Sequence, residues 1–185
     1  MKMNHANLQK LVLAALFAAL SCVATMIIQI PSPMSGYVNL GDCFVLLSGV
    51  FLGPVWGFLA AGTGSMLADI LLAYAHYAPG TFVIKGLMAV AAYLIFRALC
   101  TAKVPNFVSY LVGAIAAELV MIVGYFGYAS LILGKGIAAA SSIPGNIMQG
   151  VFGVVSSFLL LKVLERMKFF KNLLGPQSNA SSGGK

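Results

Sequence analysis

Two opposite charges, Asp69 and Lys85, stand in apolar sequence on either side of a short polar turn, YAHYAP at residues 74–79. If antiparallel membrane helices joined at Ala75 to Pro79 carry them, each lies five or six residues from the turn. At ~1.5 Å rise per residue both are then about 8–9 Å below the same surface. A lone charge near a bilayer centre costs roughly 2.5–3.5 kcal/mol, so such residues pair or face a wet cavity. Their chemistry is therefore a structural ion pair or the charged lining of a binding site. Glu118 is a further charge, near the middle of a later apolar run.

The surrounding polar residues gather in one half of the membrane. Tyr37, Asn39 and Asp42 lie at the outer end of the second apolar run, His76, Tyr77 and Thr81 flank the turn, and Tyr125, Asn146 and Gln149 follow Glu118. Aromatic walls with a few amides that both donate and accept suit a small-molecule pocket. Singly, each has a plainer use: tyrosines form interfacial belts, and Asn146 could cap the last helix. An ion pathway needs polar groups along its whole length; a one-sided set makes a cup. No catalytic residue is expected, because no nucleophile has an evident base partner. Acid–base catalysis by Glu118, Asp69 or His76 is the weaker alternative. Cys22, Cys43 and Cys100 show no CxxC spacing and have only His5 and His76 for company, so neither a metal site nor a disulfide framework is expected.

The elements that must position these groups are membrane helices. Of 185 residues, 61% are hydrophobic and 8% charged, against about 25% charged in a soluble domain. Long apolar runs without period-two alternation favour a helical bundle over a barrel. The net charge of +7 comes from basic residues in short loops and at the ends. It is a topology signal, and no aromatic–basic interleaving points to nucleic acid. The first run follows Lys2 and Lys10 without a small-residue cleavage site, so it reads as a retained helix.

Six helices are expected: about Leu8–Ile30, a short second from Leu40 to Leu52, then Val55–Tyr74, Pro79–Leu99, Pro105–Leu133, and Ser142 or Pro144 to Leu164. Pro31 and Pro33 end the first, and SPMSGYVNLGD follows as an ordered loop. Six spans put nine of the eleven Lys and Arg on one side, which makes both termini cytoplasmic. Residues 1–168 then form a single membrane domain and 169–185 a basic, flexible cytoplasmic tail. On the first helix, Ala14 with Ala18 and Ala15 with Ala19 form overlapping small-xxx-small pairs. They serve either close packing within the bundle or contact with another membrane subunit.

Taken together, YVNLGD at 37–42, the glycine-spaced segment from Gly57 to Asp69, and the Tyr77, Pro79, Thr81, Lys85-Gly86 series resemble an energy-coupling factor (ECF) S component of the riboflavin-type branch. The resemblance spans about Leu8 to Arg166. It implies six helices and a vitamin held near the outer surface under the loop between the first two helices. It also implies two kinds of partner: a transmembrane coupling subunit (T component) meeting the alanine face, and two cytosolic ATPases that use ATP and Mg. This chain has no GxxxxGK[ST] phosphate loop, so no cofactor is expected in it. Pyridoxine-type vitamin B6 or hydroxymethylpyrimidine is the expected ligand, with riboflavin second, because the only tryptophan, Trp56, is far from the cup. The resemblance also implies a bacterial cell membrane as its location.

Overall fold

The computed structural model describes residues 5–32 and 36–174. The first helix, α1 (His5–Ile27), ends three residues short of the expected Ile30. The chain leaves it to form β1 (Gln29–Ser32), antiparallel to β2 (Gly36–Asn39), with Pro31 opposite Tyr37. Proline lacks an N–H and holds the preceding residue in extended backbone, so the Ile30-Pro31 pair suits a strand better than a helix end. The expected loop is thus a two-stranded hairpin, and the rest of the described secondary structure is helical.

The next element, α2 (Asp42–Leu71), is two helical segments joined at a sharp break. Gly53 interrupts it with φ 82° and ψ −177°, just before Pro54. In a straight helix residues 48 and 57 would be about 13 Å apart, yet the Ser48 hydroxyl donates to the Gly57 carbonyl at 3.4 Å. A side-chain carbon on Gly57 would fall 2.8 Å from the Gly49 Cα. Farther along, Gly41 abuts Thr25 while Ser65 meets Ser21 at 3.3 Å, so both limbs reach neighbouring turns of α1. The element is a helical hairpin with a short limb (42–52) and a long limb (54–71).

The short limb is apolar all round and buried along almost its whole length, with Val45, Leu46 and Leu47 fully inaccessible. Such a helix belongs in a core. That explains its length: surrounded by other helices, it need not match the bilayer. Around it stand α3 (Ala78–Thr101), α4 (Asn106–Gly127) and α5 (Ile143–Leu164). A π-helical turn (Tyr128–Ile132) and a 3-10 turn (Gly136–Ser142) join α4 to α5. Among the described residues, five elements are long and apolar enough to cross a membrane. Since α2 is two rods, they supply the six expected helices, the second short. Ile115, Leu119 and Val123 on α4, and Val151, Val155 and Leu159 on α5, recur every fourth residue as exposed apolar stripes, the surface that lipid would cover.

Two expectations look different in three dimensions. The segment assigned to a tail from 169 begins as α6 (Lys168–Leu173), with the Phe170 ring 5.0 Å from that of Phe51 and Leu174 buried; from 175 onward it lies outside the described residues. The four paired alanines of α1, Ala14, Ala15, Ala18 and Ala19, do not share a face, because consecutive residues diverge by about 100°. Ala14 is buried, and Ala18 packs so closely on Gly64 that a side-chain carbon there would collide with the Ala18 carbonyl oxygen. Ala15 and Ala19 face outward.

The backbone at Gly53 is open only to glycine, whereas Gly127 has helical φ and open space where a side-chain carbon would stand. Gly53→Ala is expected to destabilise the protein by about 1–3 kcal/mol, and Gly127→Ala to stabilise it by about 0.5–1 kcal/mol. Thermal unfolding in detergent reads both; equal midpoints would contradict the fold-back at Gly53.

Candidate ligand-binding site

The centre of the polar half is a buried ion pair between Lys85 of α3 and Asp42, the first residue of α2. Relative exposure is 3% for Lys85 and 0% for Asp42. The sequence leaves Asp69 either as the ion-pair partner of Lys85 or as lining of a site beside it, and the structure gives the partnership to Asp42. Depth along two helices does not fix rotation about them, and the fold-back brings the start of the short limb to the bundle axis facing α3. The N-terminal end of that limb also carries a positive partial charge that favours a carboxylate. Asp69 lies instead on the wall of the adjacent cavity.

Gln149 ties this pair to the hairpin above it. Its side-chain amide donates to Asp42 Oδ2 at 2.6 Å, while its carbonyl oxygen accepts from the Asn39 backbone N–H at 3.2 Å and side-chain amide at 3.3 Å. The Asn39 carbonyl oxygen accepts in turn from the Thr25 hydroxyl at 3.3 Å and the Gly41 N–H at 2.8 Å. Residues from α1, β2, α2 and α5 thus form one chain of hydrogen bonds ending on Lys85. The Lys85 ammonium also sits 5.5 Å from the centroid of the Tyr125 ring, a cation–π distance. The Tyr125 hydroxyl is 3.0 Å from that of Thr81.

Above this floor is a cavity of about 70 Å³. Of the sequence-derived candidates, Asn39, Asp69, Tyr77, Thr81, Lys85, Tyr125, Asn146 and Gln149 line it. Asp42 does not; it lies beneath, holding Lys85. Glu118 is also beneath, against α5 where Gly150 and Gly153 lack side chains: a carbon added at Gly153 would be 2.8 Å from both Glu118 Oε1 and Asp42 Cβ. His76 is exposed, its ring 4.8 Å from that of Tyr77, and its carbonyl accepts from the Tyr128 hydroxyl at 2.9 Å. The Tyr37 backbone belongs to β2, and its side chain lies outside the described residues.

Thr25, Ser65, Tyr74, Ala129 and Ser142 complete the lining, and nothing in the sequence singles them out as a group. Ser65 was within reach of pattern reasoning, since it precedes Asp69 by one helical turn. Thr25 was not: a threonine in an apolar helix carries no signal until a partner is known. At the rim, the Lys135 ammonium donates to the Tyr77 hydroxyl at 3.0 Å. The site therefore offers fixed donors, acceptors and a cation between tyrosine rings, an arrangement for holding a polar ring.

Residues 5–166 match the family described as ECF-type riboflavin transporter, S component. A relative from Pyrococcus woesei, described as an uncharacterized protein in a gap 3' region, is 35% identical over 134 residues, 72% of this chain and 86% of the relative. Among solved structures, the S component of a bacterial ECF transporter aligns with a TM-score of 0.68 at 23% identity, covering 88% of this chain and 99% of that one. An S component for biotin from an ECF-type ABC transporter aligns with a TM-score of 0.52 at 18% identity, covering 88% and 95%. At these identities the two structures speak for the fold.

Removing one partner of a buried pair strands the other charge. Lys85→Met is expected to cost about 3–5 kcal/mol of stability, and adding Asp42→Asn to recover much of it. Chemical denaturation in detergent measures this; two independent, additive losses would contradict the pairing.

Proposed function

We propose that this chain, which belongs to the family of ECF-type riboflavin transporter S components, captures a small water-soluble vitamin or precursor with a single polar ring, pyridoxine-type vitamin B6 or hydroxymethylpyrimidine. Members of this family are substrate-binding transport subunits and not enzymes. The observation that carries the ligand choice is the cavity: about 70 Å³, with Lys85, Asp69, Asn146 and Gln149 around a space flanked by Tyr77 and Tyr125. Ring nitrogens and hydroxyls would meet the amides and charges, and the tyrosines would stack on the ring face. Riboflavin is the second reading, favoured by the family's description. Its tricyclic ring is larger than the single polar ring that these few amides and charges would surround.

The direction of capture follows from charge. Lys10, Arg97 and the C-terminal end of α6 come together at the end of the bundle opposite the cavity. By the positive-inside rule that end, with both termini, faces the cytoplasm of a bacterial cell and the cavity faces out. Transport would then depend on partners: a transmembrane T component and two cytosolic ATPases consuming ATP with Mg. Because Ala14 and Ala18 are taken up by packing within the bundle, the outward pair Ala15 and Ala19 is the better candidate for the T-component contact.

A thermal-shift screen of the purified chain against pyridoxine, pyridoxal, hydroxymethylpyrimidine, thiamine and riboflavin tests the ligand. Saturation at about 100 times the dissociation constant adds roughly 2.7 kcal/mol. A shift with pyridoxine or hydroxymethylpyrimidine, lost in Asp69→Asn, is expected; a shift with riboflavin alone would select the second reading. Ala15→Leu is expected to leave ligand binding intact and reduce uptake in cells carrying the full transporter, while undiminished uptake would remove Ala15 from the contact.

A further inference from the structure

The basic end of the bundle holds a second, larger cleft of about 610 Å³ that the vitamin reading does not use. It forms where the Gly53-Pro54 turn of α2 meets α3 and α6, with α1 closing one side. Lys10 of α1 and Arg97 of α3 line it, and so do the aromatic side chains of Trp56 and Tyr93. Among the described residues, no acidic side chain does. The whole chain has four: Asp42, Asp69 and Glu118 belong to the ion pair, the cavity wall and the space beneath it, and Glu165 lies 3.6 Å from Lys162. Arg97 reaches one backbone carbonyl, that of Leu174, at 3.4 Å, and a guanidinium has five N–H donors. Two cations from different helices therefore line one cleft without a counter-charge among the described residues.

The remaining walls narrow the nature of the missing anion. Val50, Leu52 and Leu173 make one side apolar. Val55, also in the lining, is 66% exposed, and Leu59, one turn along the long limb, is 41% exposed on the same stripe. The cleft thus opens onto the apolar outer surface of the bundle as well as its basic end. Tryptophan and tyrosine beside Lys and Arg are the side chains that occupy the headgroup level of a bilayer. A soluble anion would gain nothing from the apolar stripe, whereas a molecule with a phosphate and a hydrocarbon chain matches both parts.

We propose that this cleft binds an anionic phospholipid, its phosphate held by Lys10 and Arg97 and one acyl chain lying along Val55 and Leu59. Anionic lipids concentrate near clustered basic residues at the cytoplasmic leaflet, and here the cluster is shaped into a site. The site is independent of the vitamin's identity. By touching both limbs of α2 together with α1, α3 and α6, the lipid would fasten the end of the bundle where the chain folds back.

The test uses the full chain, delipidated in neutral detergent and titrated with short-chain phosphatidylglycerol, short-chain phosphatidylcholine or inorganic phosphate while the unfolding midpoint is followed. Phosphatidylglycerol is expected to raise the midpoint saturably, phosphatidylcholine and phosphate far less. Lys10→Gln and Arg97→Gln should each weaken the apparent affinity about tenfold, whereas Lys103→Gln, a basic residue of the same end outside the cleft, should not. Equal effects of the two lipids would overturn the proposal, as would a full shift from phosphate alone or equal weakening by Lys103→Gln. Because the lipid comparison is made on the unaltered protein, poor folding of a variant would not spare the proposal.

Discussion

A lysine and an aspartate buried side by side, Lys85 and Asp42, set the terms for the polar half of the molecule. Taking both out of water costs several kcal/mol per ion, and their mutual attraction offsets this only if the remaining hydrogen-bonding capacity is met. Gln149 meets part of it, and in doing so fixes Asn39 and with it the base of the β-hairpin. The pair is consequently less a source of stability than a device that fixes register. α2, α3, α5 and the hairpin must each present one particular residue for the charges to be satisfied, and the cavity lies above the floor they make, with α1 and α4 adding to its walls.

That arrangement depends in turn on the reversal at Gly53. A straight α2 would carry Asp42 to one surface and Asp69 about 40 Å away. Folded back, the helix brings both to the same end, one beneath the cavity and one on its wall. The short limb becomes the core of the bundle, and its N-terminus points its partial positive charge toward the floor of the site. One backbone conformation thus links the packing of the centre to the chemistry at the end.

The two ends of the bundle differ in kind. Toward the cavity the molecule offers buried amides, carboxylates and tyrosine hydroxyls, a set able to recognise a compact polar solute. At the other end it offers exposed cations, a tryptophan, and apolar walls continuous with the lipid-facing stripes, a set suited to the bilayer itself. A binding subunit that relies on partners to move its ligand fits this asymmetry better than a pore does.

Much of this was legible in the residues alone. Charge scarcity and apolar run lengths determined a helical membrane bundle, and the Gly53-Pro54 break determined a short second helix, because both follow from local properties of the chain. The polar cup was legible as well, since depth can be counted along a helix at ~1.5 Å per residue. Rotation about each helix axis could not be counted, and only the tertiary structure decided it. It gave Lys85 to Asp42 instead of Asp69, withdrew Glu118 and Asp42 beneath the cavity, and turned Ala14 and Ala18 inward while leaving Ala15 and Ala19 outside. The face a residue presents is set by which neighbours its helix packs against, and in an almost uniformly apolar chain the local pattern carries little record of that choice.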